Sequence, residues 1–302
     1  ETIIVYEPNT GAPFLSLMQG MRDTKTKSEL EVLKKIYEIS SHAHTQTMKQ
    51  VQPGITEYQA SAYFDVLCKH CGARKYAYTS IVATGANAAV LHYTERRDWI
   101  QKGQLLLVDA GAEFMGYASD ITRTYPVSGK FNELQALLYN AVLSIQEQAI
   151  DLVKPNADFV EIRQSASKFL IQELQALNII PSTLSIEKAM ELTLHTVFQP
   201  HGLGHLVGLD VHDTTIYPDG PLKSGMVLTI EPGIYFNQYL LEHLTEEQKA
   251  VVNQTRIAEF IQAQAIGVRI EDEVVVTDAG NELLSIAPKS IVDIEQWLAQ
   301  TN

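Results

Sequence analysis

Cysteine is scarce in this chain: its two cysteines, Cys68 and Cys71, form an isolated C-x-x-C within the segment DVLCKHCGAR. A structural zinc site would need two further ligands nearby, and a thioredoxin-like redox site would need a strand before the motif. The segment is instead typical of a helix end that is closed by Gly72. We therefore expect both thiols to be reduced and inert.

Long hydrophobic runs are also missing. No window approaches the roughly eighteen consecutive apolar residues of a membrane-spanning helix, and the N-terminal residues lack the basic-then-apolar pattern of a signal peptide. Apolar residues still make up 45% of the chain, which is too many for a disordered protein. We expect a folded, soluble protein in the cytoplasm that does not contact membranes.

Positive charge is in deficit. The chain has 23 lysines and arginines against 36 aspartates and glutamates, so its formal net charge is −13. This balance repels phosphate backbones and therefore argues against nucleic acid as a partner. It is compatible with hard cations and with substrates that carry a free ammonium group. A phosphate loop, a G-x-S-x-G elbow and an H-E-x-x-H helix are all missing, which excludes several other common catalytic sites.

Helical and strand-like segments alternate in blocks. Helices are predicted from Ser28, as N-cap, to about Lys49, from a capping box at Thr56 and Gln59 to Gly72, and over residues 131–154, 158–178, 185–195 and 245–263. Short, glycine-bounded apolar segments between them are typical of strands: YTSIVATG, GQLLLVDAGAEF, YASDITRTYPV, GMVLTIEPGIYF and VRIEDEVVVTDAGNELL. This order favours an α+β fold over a parallel α/β sheet.

Two aspartates stand where strands end. Asp109 closes the apolar run LLLVD, and Asp120 follows in YASDITRT. If the chain turns near Met115 and Gly116, the two carboxylates lie opposite one another, with Cβ atoms about 5 Å apart. Such a pair can hold two metal ions. The alternative is that Asp109 caps a turn and that Asp120 pairs with Arg123.

Histidines cluster in the segment HGLGHLVGLDVHD. Its glycines argue against a helix around His201 and His205, and the segment ends with His212. One imidazole can bind a metal while the others contact the substrate. A single histidine would more often be structural, but three so close together favour a functional site.

Two glutamates complete a ligand set. Glu231 ends the strand-like run LTIE before a proline-glycine turn, and Glu271 lies two residues after Arg269, on the same face of a strand. Arg269 is thus expected to pair with Glu271 and to hold it ionised. The alternative for Arg269 and Glu273 is an ordinary ion pair on a half-exposed strand. Four carboxylates and one histidine suit a bridged pair of Mn²⁺, Co²⁺ or Zn²⁺ ions.

The order of these ligands, together with the motifs LHYTE, DAGAEFMGYASDITRTYPV, HGLGHLVGLDVHD, EPGIYF and GVRIEDEVVVT, resembles the pita-bread metallopeptidases. This is the family of methionine aminopeptidase, aminopeptidase P and prolidase. The resemblance covers roughly residues 25–298, and DVHD and GVRIED resemble its proline-specific branch. It implies a curved antiparallel sheet flanked by helix pairs, with a catalytic domain over residues 26–302.

The resemblance also implies a role for each ligand. Asp109 chelates one metal ion, Asp120 and Glu271 bridge two, and His205 and Glu231 complete the second. Mn²⁺ is the expected ion. Glu231 would also serve as general acid and base, while substrate would be positioned by His92, His201 and His212.

The implied substrate is a peptide with proline at its second position. Residues 237–267 are as long as in the larger prolidases, which favours a dipeptidase, although only Lys223 in the short segment HDTTIYPDGPLKSGM offers a cation for a dipeptide's carboxylate. Aminopeptidase P, acting on longer peptides, is the alternative, and a non-catalytic pita-bread binding module is a third. Residues 1–25 are expected to be a linker or the tail of a missing N-terminal domain, and a homodimer is possible because that domain contributes to dimers in the family.

Overall fold

The structure of the protein, a computed structural model, describes residues 12–215, 217–218 and 220–300. Its helices are α1 (Ala12–Asp23), α2 (Lys27–Gln50), α3 (Glu57–His70), α4 (Glu133–Asp151), α5 (Phe159–Ala176), α6 (Ile186–Glu191), α7 (Leu194–Phe198), α8 (Gln238–Glu242), α9 (Glu246–Val251), α10 (Gln254–Gln262) and α11 (Ile291–Ala299), with a 3-10 helix at Gly85–Ala89. Its strands are β1 (Lys75–Tyr76), β2 (Ile81–Thr84), β3 (Leu105–Asp109), β4 (Ala112–Phe114), β5 (Tyr117–Ala118), β6 (Thr122–Pro126), β7 (Val227–Ile230), β8 (Gly233–Tyr235), β9 (Gly267–Arg269), β10 (Asp272–Thr277) and β11 (Gly280–Leu283).

Two capped helices, α2 and α3, precede the first strands, as predicted. The N-cap of α2 is Thr26 and not Ser28, because Thr26 and Glu29 form a reciprocal capping box. Thr56 makes the predicted capping box with Gln59 at the start of α3. Both helices bury one side in the main hydrophobic core, which fixes them against the strands.

The strands pair antiparallel, which confirms the predicted α+β class. Strands β2, β3 and β6 form one sheet, β7, β10 and β11 a second, β1, β4 and β5 a third, and β8 pairs with β9. Strands β4 and β5 form the hairpin predicted near Met115 and Gly116, both of which have positive φ. A bridge between Thr122 and Glu271 joins the first two sheets. Strand ends that carry acidic residues therefore meet at one place.

A buried arginine links these two sheets. Arg123 contacts Asp272 at 2.5 Å and donates a hydrogen bond to the backbone oxygen of Glu271 at 2.7 Å. Lys289 contacts the other oxygen of Asp272 at 2.8 Å. Burial alone would raise the pKa of Asp272, but the charges of Arg123 and Lys289 hold it well below its usual range. The alternative pairing of Arg123 with Asp120 is therefore wrong.

The remaining differences concern helix continuity. The helix predicted over residues 185–195 is divided into α6 and α7, and that over 245–263 into α9 and α10, where Asn253 caps the second piece. Helix α1 covers part of the predicted linker, whereas residues 1–11 lie outside the described part of the chain, so the linker boundary stays a prediction. Within the described ranges, no helix is both long and apolar enough to cross a bilayer.

Arg123→Met should destabilise the fold strongly. The variant leaves the buried Asp272 carboxylate with Lys289 as its one described cationic partner, so we expect the free energy of unfolding to fall by about 3–5 kcal/mol. Urea denaturation followed by circular dichroism measures the change. Lys34→Met is the matched control: the ion pair of Lys34 with Glu282 is half exposed, and losing it should cost less than about 1 kcal/mol. Equal losses in the two variants would contradict the role given to Arg123.

Candidate active site

One open cavity of about 690 Å³ collects most of the predicted site residues. Its described lining includes all five predicted metal ligands together with two of the predicted substrate-positioning histidines: Asp109, Asp120, His205, Glu231, Glu271, His92 and His212. Single ligand atoms of Asp120, His205 and Glu271 lie within 4.8 Å of one another, which is close enough for one metal ion to bind all three. The five predicted ligands come from five separate strand ends and loops, and their side chains converge in this cavity as predicted.

The two aspartates meet, but not as direct cross-strand neighbours. Asp109 pairs in register with Thr122, so the prediction that it lies opposite Asp120 is wrong. The β4–β5 hairpin intervenes between β3 and β6, and Asp120 lies just after that hairpin. The hydroxyl of Tyr78 joins the carboxylates: it lies 2.6 Å from Asp109 Oδ1 and also contacts Asp120 Oδ1.

Arg269 binds a different acid from the one predicted. Its guanidinium donates to Asp109 at 2.6 Å and to the Tyr235 hydroxyl at 2.9 Å, so the predicted ion pair with Glu271 is wrong. The reason is that β9 ends at Arg269 and β10 begins at Asp272, which leaves Glu271 at a break between strands. Arg269 is buried, so the half-exposed strand considered as the alternative is wrong too.

Glu271 is held by the neighbouring strand instead. Its backbone N–H donates to Thr122 O at 3.1 Å, and its carboxylate accepts a hydrogen bond from the Thr122 hydroxyl at 2.6 Å. Two residues later, the buried Glu273 accepts from the backbone N–H of Asp120 at 2.8 Å. These contacts hold Asp120 and Glu271, the two residues predicted to bridge metal ions, in place.

Glycine lets the histidine loop approach strand β7 closely. A Cβ atom at Gly204 would lie 1.9 Å from Thr229 O, so only glycine fits there. Thr229 N then donates to His205 O at 2.9 Å, and the Thr229 hydroxyl accepts from His205 N and donates to Glu231 Oε1. This local pairing places His205 Nε2 3.6 Å from Glu231 Oε1 and 3.5 Å from Asp120 Oδ2.

Acidic groups in the cavity repel one another. Burial and the charge of Asp120 raise the pKa of Glu271 well above its usual range, and burial raises the pKa of Glu231 to about 7. Burial alone would lower the pKa of His205, but Asp120 and Glu231 raise it to about 9. The protonated imidazole thus supplies the one positive charge between these two carboxylates, which is the position a divalent cation would take. The donor set fits hard or borderline cations.

The other histidines lie around this centre. The ring centroid of His212 lies 4.0 Å from that of His205, with the two rings tilted by 52°, and His92 is exposed to the cavity. His201 stands beside Glu231, with Nδ1 3.9 Å from Oε2, and burial lowers its pKa to about 3. It is therefore neutral, and its two nitrogens contact Gly202 O and the Tyr235 hydroxyl.

Four polar residues of the site were not predicted: Tyr78, Thr122, Tyr235 and Glu273. Each forms part of a strand or precedes one in the predicted segments YTSIVATG, YASDITRTYPV, EPGIYF and VRIEDEVVV, where hydroxyl and acidic residues alternate with apolar ones. Alternation indicates that these side chains share a face with the ligands. It does not identify their partners.

The antiparallel α+β scaffold gathers four carboxylates and an imidazole in one open cavity, a donor set of the kind that metal-dependent hydrolases use. The sequence matches metallopeptidase family M24 over residues 31–278, and the chain belongs to that family. It is 38% identical over 298 residues to Xaa-Pro dipeptidase of Mus musculus, a match that covers 91% of this chain and 60% of the relative. It is 35% identical over 281 residues to Xaa-Pro aminopeptidase of Escherichia coli, covering 92% and 59%.

Solved structures agree with this assignment. A variant of Escherichia coli aminopeptidase P in complex with substrate superposes with a TM-score of 0.82 at 35% identity, covering 93% of this chain and 61% of that one. Pseudomonas aeruginosa aminopeptidase PepP gives 0.83 at 34% identity, covering 94% and 61%. The pita-bread fold implied by the sequence motifs is thereby confirmed. The chain spans about 60% of the length of the curated relatives it matches.

Metal binding to this site should release protons. Ligands bind metals in their deprotonated forms, whereas at pH 7 the metal-free site holds protons on His205 and on the acids with raised pKa. We expect Mn²⁺ to displace about one or two protons per chain and to bind more tightly as the pH rises from about 6 to 8. Calorimetry in buffers of different ionisation enthalpy counts these protons. A binding enthalpy that does not depend on the buffer would contradict this picture of the site.

Proposed function

We propose that the protein is an Xaa-Pro exopeptidase that depends on two divalent metal ions. The supporting observation is that the five predicted ligands converge in one cavity, where too few positively charged groups lie close to the carboxylates to neutralise them. In this proposal Asp109 binds the first ion, Asp120 and Glu271 bridge both, and His205 and Glu231 bind the second. Mn²⁺ is the ion we expect to be physiological, ahead of Co²⁺ and Zn²⁺.

The bound metal pair would polarise the scissile carbonyl and lower the pKa of a water molecule. The protein residues have complementary tasks. Glu231, which lies beside His205 and His201 in the cavity wall, is the residue we assign to take a proton from the water and return it. His92 and His212 face the same cavity and can position the peptide, and the neutral His201 beside Glu231 is the third residue we assign to substrate positioning.

Arg269 acts through another residue and not on the substrate. Its guanidinium holds one oxygen of Asp109, while Tyr78 contacts the other. Both oxygens of this ligand are thus fixed before a metal ion binds. A preorganised ligand loses less conformational entropy when the ion arrives.

Substrate length is the finer question, and we propose dipeptides as the first candidate. The supporting features are the 38% identity to a dipeptidase and the segment between Tyr235 and Gly267, which holds three short helices. One observation favours longer peptides, as for aminopeptidase P. A dipeptide's carboxylate needs a cation nearby, but Lys223 is absent from the described lining of the cavity. The only lysine or arginine in that lining is Lys75, whose Nζ lies 3.8 Å from Glu113 Oε2.

Four broader predictions remain. A non-catalytic binding module is disfavoured because all five ligand positions are retained. Homodimer formation and a cytoplasmic location stay predictions from the sequence. Cys68 and Cys71 are free, and burial raises the pKa of the Cys68 thiol, in keeping with inert cysteines.

Glu231→Gln should lower kcat by about 100-fold or more while the protein remains folded, because the amide cannot take up the proton. Steady-state hydrolysis of Ala-Pro with added Mn²⁺ measures this, alongside the bound metal content. Glu247→Gln, at an exposed position on α9, is the control and should behave like the unmodified chain. Near-normal turnover of Glu231→Gln would remove this residue from proton transfer.

Comparison of Ala-Pro with Ala-Pro-Ala tests the proposed substrate. Hydrolysis of both should require Mn²⁺ and stop with a chelator, and the dipeptide should have the higher kcat/KM. A tripeptide cleaved at least as fast would assign aminopeptidase P activity instead. If the metal-loaded protein cleaved neither peptide, the proposed function would be wrong.

A further inference from the structure

Glu57 is a completely buried acid outside the metal cavity. It is the first residue of α3, and its carboxylate accepts four hydrogen bonds from neutral donors. Oε1 accepts from Thr84 N at 2.8 Å and Asn87 Nδ2 at 3.0 Å, while Oε2 accepts from the Tyr93 hydroxyl at 2.8 Å and Asp98 N at 3.1 Å. A carboxylate has about four acceptor positions, so all of them are used.

The four donors enclose one segment of the chain. Residues 84–98 run from the end of β2, through the 3-10 helix, into an irregular loop that carries His92. Further backbone contacts tie the end of this segment to the start of α3: Glu57 N donates to Asp98 O at 3.0 Å, and Thr56 forms a bridge with Trp99. A single side chain therefore fixes both ends of the loop and a point next to His92.

His92 depends on that anchoring. Its ring makes no hydrogen bond to another described residue and faces the cavity, whereas the adjacent Tyr93 is buried and bound to Glu57. Arg97 N also donates to the Tyr93 hydroxyl at 3.4 Å, which closes the loop on itself. The backbone from which the His92 ring extends towards the cavity is therefore held by Glu57, through Tyr93 and the two ends of the loop.

We propose that Glu57 is a positioning residue for His92 in peptide hydrolysis. The proposal rests on the proposed function, in which His92 contacts the substrate. Burying an acid without a cationic partner costs free energy, and an apolar side chain of similar volume would not carry that desolvation cost. The loop, however, needs four acceptor positions at one point. Only a carboxylate supplies them with a single side chain.

Glu57→Gln is the conservative test. The amide keeps the size of the side chain but has one acceptor oxygen, so its NH₂ group must face two of the four donors. We expect kcat/KM for Ala-Pro to fall by about 10-fold or more, with the loss mainly in kcat. Glu133→Gln is the matched control: Glu133 is the exposed first residue of α4, where the same change leaves no donor unpaired, and its activity should stay within about twofold.

A double-mutant cycle distinguishes positioning from a general loss of structure. Glu57→Gln should lower kcat/KM by less than about twofold when His92 is already alanine, because the positioned ring is gone. An equal loss in both backgrounds would overturn the proposal. So would unchanged activity of Glu57→Gln in the otherwise intact chain.

Hydrogen exchange provides a readout that needs no turnover. Amides of residues 84–98 should exchange at least about 10-fold faster in Glu57→Gln, while those of α4 and α5 stay unchanged. Unaltered exchange in this segment would contradict the proposal even if the protein proved to have another activity. Should Glu57→Gln fail to fold, Tyr93→Phe removes one of the four bonds, and the same non-additivity with His92→Ala is required.

Discussion

Mutual repulsion among the carboxylates of the cavity is the constraint on which the rest of this structure depends. Asp109, Asp120, Glu231 and Glu271 face one space, where His205 lies close to Asp120 and Glu231, and burial and the charge of Asp120 raise the pKa of Glu271 well above its usual range. Charges so arranged are tolerated when protons or cations neutralise them. The two divalent metal ions that we propose would neutralise these carboxylates, and membership of a metallopeptidase family is consistent with such ions.

The surrounding fold resists that repulsion with fixed contacts. Arg269 holds Asp109, Glu273 holds the backbone of Asp120, and Thr122 holds Glu271. Arg123 then ties the backbone of Glu271 to strand β6 from within the core. Rigid placement of each acid keeps the ligands apart and aimed inwards, so that the cavity is shaped before an ion enters it.

Local signals in the sequence made much of the fold and of the candidate site predictable. The Thr56 capping box, the turn at Met115 and Gly116, and the glycine-rich loop around His205 depend on neighbouring residues alone, and each was confirmed. The family motifs added the ligand set. The N-cap of α2 was ambiguous because both Thr26 and Ser28 precede a glutamate by three residues. The hydroxyl of Tyr117, which donates to Glu29 and is distant in sequence, favours Thr26.

Long-range pairings were beyond the sequence. Period-two alternation predicted that Arg269 and Glu271 share a face, but a break between β9 and β10 separates them. The guanidinium of Arg269 pairs instead with Asp109, which lies in another sheet. The register of β3 with β6 and the role of Tyr78 likewise depend on how distant segments pack.

Anomalous diffraction from crystals grown with Mn²⁺ tests the central claim most directly. Two manganese peaks should lie among the five side chains, with both ions in contact with Asp120 and Glu271. A single peak, or manganese peaks that lie away from these side chains, would contradict the account.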